Sequence, residues 1–277
     1  MADTPEKVLQ RRGYVIAIEG MESVGKGEIA RAVQTFLAEK KIESEVLRKF
    51  HDTYAGRKIR QTLLDPAENE HATEEVLDPR TEIHLYVAAL GELYAKKIKK
   101  MREQGKSVII PGYRMSVIGY QGFGDLYGDS SELARIVEEL NLATEGERPD
   151  LTFVIDQQAE KAFTYANMEN MRYLHRHKRD LSYYERVSEG FRNAAYRDRK
   201  RGVVYIPEVK SRKRRGVSDE KMLEVQIRRV VDAVEKIVLP DRGREYDPGK
   251  DAEEGQGSRQ EIFSRASVYQ EERGLWL

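Results

Sequence analysis

The chain has 277 residues, with 48 Lys and Arg balanced by 48 Asp and Glu, and no cysteine. A net charge of zero argues against a general nucleic-acid coat or a binder of acidic membranes, and the missing cysteines exclude a disulfide framework and a thiolate metal site. No apolar run approaches the roughly 18 residues of a membrane span, and residues 1–13 lack the apolar segment of a signal peptide, so the expectation is a cytoplasmic protein with neither nucleic acid nor membrane as partner.

After an extension over residues 1–12, the first element is a strand, Tyr14–Glu19. It runs into GMESVGKGE, that is Gly20, Met21, Glu22, Ser23, Val24, Gly25, Lys26, Gly27 and Glu28. A glycine, four residues and Gly-Lys between a strand and a helix is the pattern of a phosphate-binding loop. Backbone N–H groups there cradle phosphate oxygens. Lys26 would neutralise charge on a transferring phosphoryl group. The usual Ser or Thr after the lysine is Gly27, so the loop offers no hydroxyl to magnesium. The metal would then rely on waters, another side chain or the nucleotide, and no side chain is assigned to it. The alternative is a Gly-rich turn without a ligand.

A helix follows over 28–40, with Ile29, Ala32, Val33, Phe36 and Leu37 at helical spacing. Next come a strand over 45–50, a helix over 81–104 and a strand over 107–111. A helix over 133–142, a strand over 151–155, a helix over 181–199, a strand over 203–206 and a helix over 219–237 complete the pattern. This alternation predicts an α/β domain over 13–239: a parallel five-stranded sheet flanked by helices in three layers, with ligands at the carboxyl ends of the strands. Residues 240–260 are rich in charge, Gly and Pro and read as a flexible linker. The last residues carry Ile262, Phe263, Val268, Tyr269, Leu275 and Trp276. They read either as a tail packing back on its own domain or as a docking segment for a protein partner.

Larger stretches resemble thymidylate kinases. The segment SVIIPGYRMSVIGYQGFGDL at 107–126 resembles the family's Asp-Arg-Tyr and Tyr-Gln-Gly region. ELARIVEELNLATEGERPDLTFVID, YYERVSEGFRNAA and LRKFHDTYAGRKIRQTLL resemble its later helix and strand, its aromatic pair and its substrate-side segment. The resemblance covers about Tyr14 to Val238 in order. It implies a three-layer P-loop kinase fold, ATP and Mg²⁺ as cofactors, a deoxynucleoside monophosphate such as dTMP as acceptor, and a homodimer. It also implies that Glu22 sits near the reacting phosphates, that Arg48, Phe50, Tyr113, Tyr120 and Gln121 bind substrate, and that a basic lid closes over the nucleotide. Phe50 reads alternatively as core, and Tyr120 as packing.

The chain departs from the family pattern in three places. The Asp-Arg of Asp-Arg-Tyr falls on Pro111 and Gly112, with Arg114 nearby as a substitute. The family's Ala-Asp-Arg helix, whose Arg helps read thymine, meets Leu90 and Gly91. The third is Gly27. All three are expected to fall at one cleft. The lid expected over 170–180 holds Arg172, His175, Arg176, His177, Lys178 and Arg179. Ser23 and Val24 give the loop no arginine of its own, so Arg172 and Arg176 are the candidate catalytic arginines, with Lys26 and Glu22. His175 and His177 read as a solvated basic face rather than a metal pair, and KSRKRR at 210–215 as a solvated loop, with a nuclear address or RNA contact as the lesser reading. Three functions remain open: a kinase for dTMP or a related deoxynucleotide, a kinase for a different or modified acceptor, and a non-catalytic nucleotide-binding partner subunit. The Gly-Lys-Gly loop also resembles polyphosphate-dependent nucleotide kinases, although the rest of the chain does not.

Overall fold

A computed structural model of the chain describes residues 12–64, 77–168, 180–209, 219–239 and 257–273. The apolar runs form strands β1 (Val15–Gly20), β2 (Ser44–Val46), β3 (Ser107–Pro111), β4 (Leu151–Ile155) and β5 (Val203–Ile206). They make one sheet in the order β2-β3-β1-β4-β5, with every pair parallel. Strands β1 and β4 are buried along their whole length, as continuous apolar runs in a sheet covered on both faces should be.

Helices α1 (Lys26–Glu39), α2 (Tyr54–Leu64) and α3 (Pro79–Leu93) follow in order. Asp78 caps α3 by accepting from the Arg80 N–H at 2.9 Å, with Pro79 in the first turn. The helix expected over 81–104 is one rod with a π-helical turn, Tyr94–Ile98, before α4 (Lys99–Glu103). After β3, the short α5 (Arg114–Val117) widens into a π-helical segment, Ile118–Asp125, which the sequence pattern does not reveal. Its glycines admit close neighbours. A Cβ at Gly119 would lie 2.9 Å from the Phe191 ring, and one at Gly124 would lie 2.6 Å from the Tyr183 ring. Helices α6 (Ser130–Ala143), α7 (Ala159–Ala166), α8 (Leu181–Arg197) and α9 (Asp219–Val238) complete the layers. One core joins the sheet to α3, α6 and α8, and the other joins it to α1 and α9.

Strand β2 is shorter than the expected 45–50. Leu47 N–H still donates to Ile109 O at 2.9 Å, and then the Asp52 carboxylate captures the Arg48 N–H. His51 N–H returns to Arg48 O at 3.0 Å, closing a turn. That turn delivers Phe50 to a small cluster with Leu63 and Ala89.

The tail packs back on its own domain. Helix α10 (Gly257–Arg273) buries Ile262, Ala266 and Tyr269 in the core shared with α9 and β5. Gln270 lies along the edge strand β5: its Nε2 donates to Val203 O at 2.7 Å, and its Oε1 accepts from Tyr205 N–H at 3.0 Å. One side-chain amide thus continues the ladder at the edge where, among the described residues, no further strand pairs. Residues 240–256, Leu275 and Trp276 lie outside the described residues. Among the described residues, no helix is long and apolar enough to cross a membrane.

Replacing Gln270 with Ala removes both bonds and leaves Val203 O and Tyr205 N–H without them. The expected loss is about 1–3 kcal/mol of unfolding free energy, read by urea denaturation.

Candidate active site

The loop from Gly20 to Gly25 leaves the carboxyl end of the central strand, and α1 begins at Lys26. Gly25 takes a left-handed φ of 75°, and a Cβ there would lie 2.4 Å from Leu223 Cδ1, so any other residue would strain the backbone and displace Leu223. No side chain caps α1, which leaves the N–H groups of its first turn available to an anion. Lys26 Nζ donates to Gly20 O at 2.8 Å and to Met21 O at 2.7 Å. Burial pushes its ammonium below the usual lysine range, while Glu22 and Glu19 oppose the shift. Met21 and Val24 point into the two cores, so they offer the loop only backbone. Glu28 lies outside, paired with Arg31 at 2.9 Å.

Two neighbours brace the loop. The Tyr120 hydroxyl accepts from Glu22 N–H at 2.9 Å and donates to the Glu22 carboxylate. Burial, reinforced by that carboxylate, pushes its phenol well above the usual range. From beyond β4, Gln157 Nε2 donates to Glu22 O at 2.6 Å, and its amide oxygen accepts from Ser23 Oγ at 3.2 Å. Gln157 was not anticipated, because no motif marks it. Neither was Glu19, although a charge at the end of a buried strand is a signal in itself. Its carboxylate accepts from Met115 N–H at 2.8 Å and from Ser116 Oγ at 2.7 Å. Burial raises its pKa, with Ser116 and then Lys49 acting against the rise.

The acceptor-side expectations divide. Arg48 is exposed, and Phe50 packs edge-on to Tyr86 with centroids 5.3 Å apart. Between them in sequence, Lys49 sets its ammonium 4.9 Å from the Tyr86 centroid and 5.3 Å from the Phe50 centroid. Gln121 is buried in the π-helical segment. Tyr113 is 2% exposed and packs in the core beside α3 and α8. Arg114 is corrected as a substitute for the missing arginine. It is drawn to the end of α6, donating to Leu140 O at 3.0 Å, Thr144 Oγ1 at 2.7 Å and Asn141 Oδ1 at 2.5 Å. Desolvation there lowers its pKa to about 10.

The three departures do not share one cleft. A Cβ at Gly112, where φ is 73°, would stand 3.4 Å from Ser116 Oγ and 3.9 Å from Lys26 Cε, beside the loop. At Gly27 it would meet only Arg31 Nη1, at 3.7 Å. At Gly91 it would run into Ala143 O at 3.2 Å, so this position faces α6, and its glycine lets two helices approach. Arg172, Arg176, the rest of the expected lid and KSRKRR lie outside the described residues. On the other flank of the loop, an open groove of about 540 Å³ is lined by Ser23, Gln157, Lys161, Tyr165, Glu208 and Leu223, among others. Its size suits a nucleotide-sized ligand.

Comparisons with known proteins agree with this geometry. A family model described as Thymidylate kinase matches residues 18–210. The thymidylate kinase of Carboxydothermus hydrogenoformans is 33% identical over 193 residues, covering 70% of this chain and 89% of that protein. The one from an Exiguobacterium species is 32% identical over 180 residues, covering 65% and 79%. The crystal structure of thymidylate kinase from Ehrlichia chaffeensis superposes with a TM-score of 0.57 at 21% identity, over 80% of this chain and 99% of that one, which shows the shared fold.

Arg114→Ala should behave as a structural change. It removes the charged donor shared by Leu140 O, Thr144 Oγ1 and Asn141 Oδ1 at the end of α6 and should cost about 2–3 kcal/mol in denaturant unfolding.

Proposed function

The chain belongs to the thymidylate kinase family, and from that premise we propose that it transfers the γ-phosphoryl group of ATP to dTMP, giving ADP and dTDP. The single observation that carries the reading is the strand–loop–helix unit with Lys26 at its helix start, at the carboxyl end of the central strand. An oxygen of the acceptor phosphate bonds to the γ-phosphorus while the bond from that phosphorus to the bridging oxygen of ADP breaks. The acceptor phosphate is largely dianionic above its second pKa of about 6, so the attacking oxygen needs no base. Catalysis is then a matter of alignment and charge neutralisation.

The chain's own groups fit ATP. The α1 N-terminus and loop N–H groups suit the phosphates, Lys26 supplies a cation held against the loop, and the groove beside Ser23 and Leu223 suits the rest of the nucleotide. For magnesium the fit is narrower. Among the described residues, no cluster of three or more acidic or histidine ligands is present. Glu22 and Glu19 are the carboxylates at hand, so the donor set suits an ion that arrives on the nucleotide and keeps its waters. When bound, the ion spreads the negative charge of the phosphates. Arg172 and Arg176 as lid arginines, a homodimer and a cytoplasmic place of action complete the proposal, resting on the family resemblance. So do a domain over 13–239 and the roles given to Arg48, Phe50 and Gln121. The reading as a non-catalytic partner is not favoured, given the family match and Lys26.

The test is a panel of deoxynucleoside monophosphates with ATP and Mg²⁺, following ADP and the diphosphate. dTMP should be turned over, and Lys26→Ala should lower kcat by about 10²–10³-fold with an unchanged circular dichroism spectrum. Inert dTMP beside an active second monophosphate would replace the acceptor, and no turnover at all would remove the kinase reading. The open space at Gly27 gives a second prediction. Gly27→Ser should fit without repacking and lower the Mg²⁺ concentration for half-maximal activity about two- to tenfold, read by a Mg²⁺ titration.

A further inference from the structure

We propose that Lys49, on the turn that follows β2, binds the phosphate of the acceptor nucleotide. The inference rests on the kinase reading and names the residue that holds its second substrate. Lys49 is partly buried, and among the described residues its ammonium makes no hydrogen bond or ion pair. Two aromatic rings hold it in place instead, Tyr86 from α3 and Phe50 from its own turn. A partly buried lysine with no carboxylate bonded to it has its ammonium available, and a phosphate dianion would supply the bonded anion.

Its position matches that role. The charged groups that act on it are Glu19 from β1, with Glu22 and Lys26 from the loop. Ser116 bonds Glu19 and also borders the gap at Gly112, where no side chain projects and Lys26 Cε forms the far side. Lys26 is tethered to the loop that would hold the donor's phosphates, and Arg114 is committed to α6. Lys49 is thus the described cation on the acceptor side that shares the carboxylates of Lys26 and yet carries no protein anion of its own. Burial, with Lys26 reinforcing it, brings its pKa down to about 8 against the pull of Glu19 and Glu22. Tyr86 is the other titratable group facing it. The ammonium is present below that pH and lost above it, so acceptor affinity should fall as pH rises.

Calorimetry of dTMP and ATP binding to the full chain, for wild type, Lys49→Met and Lys49→Arg at pH 7 and pH 9, tests this. Wild type should lose about tenfold in dTMP affinity between the two pH values, as the charged fraction falls around a pKa of about 8. Lys49→Met should weaken dTMP binding at pH 7 by about 10–100-fold while changing ATP binding less than about twofold. Lys49→Arg should keep binding and lose the pH dependence. Retention of dTMP affinity within about twofold in Lys49→Met, or an equal loss for ATP, overturns the inference. So does a pH dependence that persists in Lys49→Arg, which decides the matter even where Lys49→Met fails to fold. If wild type phosphorylates dTMP but Lys49→Met binds it normally, the kinase stands and Lys49 falls. Lys49-dependent binding with no turnover removes the kinase reading and leaves the site, and absence of dTMP binding to wild type overturns both.

Discussion

Glu19 leaves the central strand β1 with its carboxylate turned toward the chain that follows β3, where Met115 N–H and Ser116 Oγ donate to it. This carboxylate therefore ties the end of β1 to the segment that follows β3. Burying an anion is costly unless hydrogen bonds and opposite charge compensate it. Here the compensation comes from the groups a phosphate-transfer site requires: a backbone N–H, a hydroxyl and, at longer range, the ammoniums of Lys49 and Lys26. The stability of the strand ends and the charge balance of the site are therefore one arrangement.

The phosphate loop is held from three directions. Its own lysine bonds its carbonyls, Tyr120 reaches it from the π-helical segment, and Gln157 reaches it from beyond β4. Such bracing fixes the backbone N–H groups before a nucleotide arrives, which is how an oriented dipole array gains its effect. The π-helical segment has a function in this scheme. Its glycines let α8 approach closely, and the wider turn carries the Tyr120 hydroxyl to the loop.

The layers were legible in the sequence because burial on both faces writes continuous apolar runs, and β1, β3, β4 and β5 each carry one. The phosphate loop was legible because its glycines and lysine are close in sequence. Side-chain direction was not. Whether Arg114 turns to the cleft or to α6 depends on the twist of a short helix, and Gly91 faces Ala143 through the phase of α3. Lys49 was hidden by the strand reading of 45–50, whose alternation pairs Arg48 with Phe50 and sets Lys49 apart. The Asp52 turn breaks that alternation and carries Lys49 over Phe50 and Tyr86.

Gln270 completes the ladder of β5 from a position 65 residues later than Tyr205. During synthesis the strand leaves the ribosome well before the helix that covers it. At roughly 5–20 residues per second, the interval is about 3–13 s. Throughout it the nascent sheet presents an open hydrogen-bonding margin, the surface on which β-rich chains pair wrongly. The last helix therefore sets a deadline for the nascent protein: until it docks, the margin is shielded only by chaperones or by the slowness of encounter with another chain.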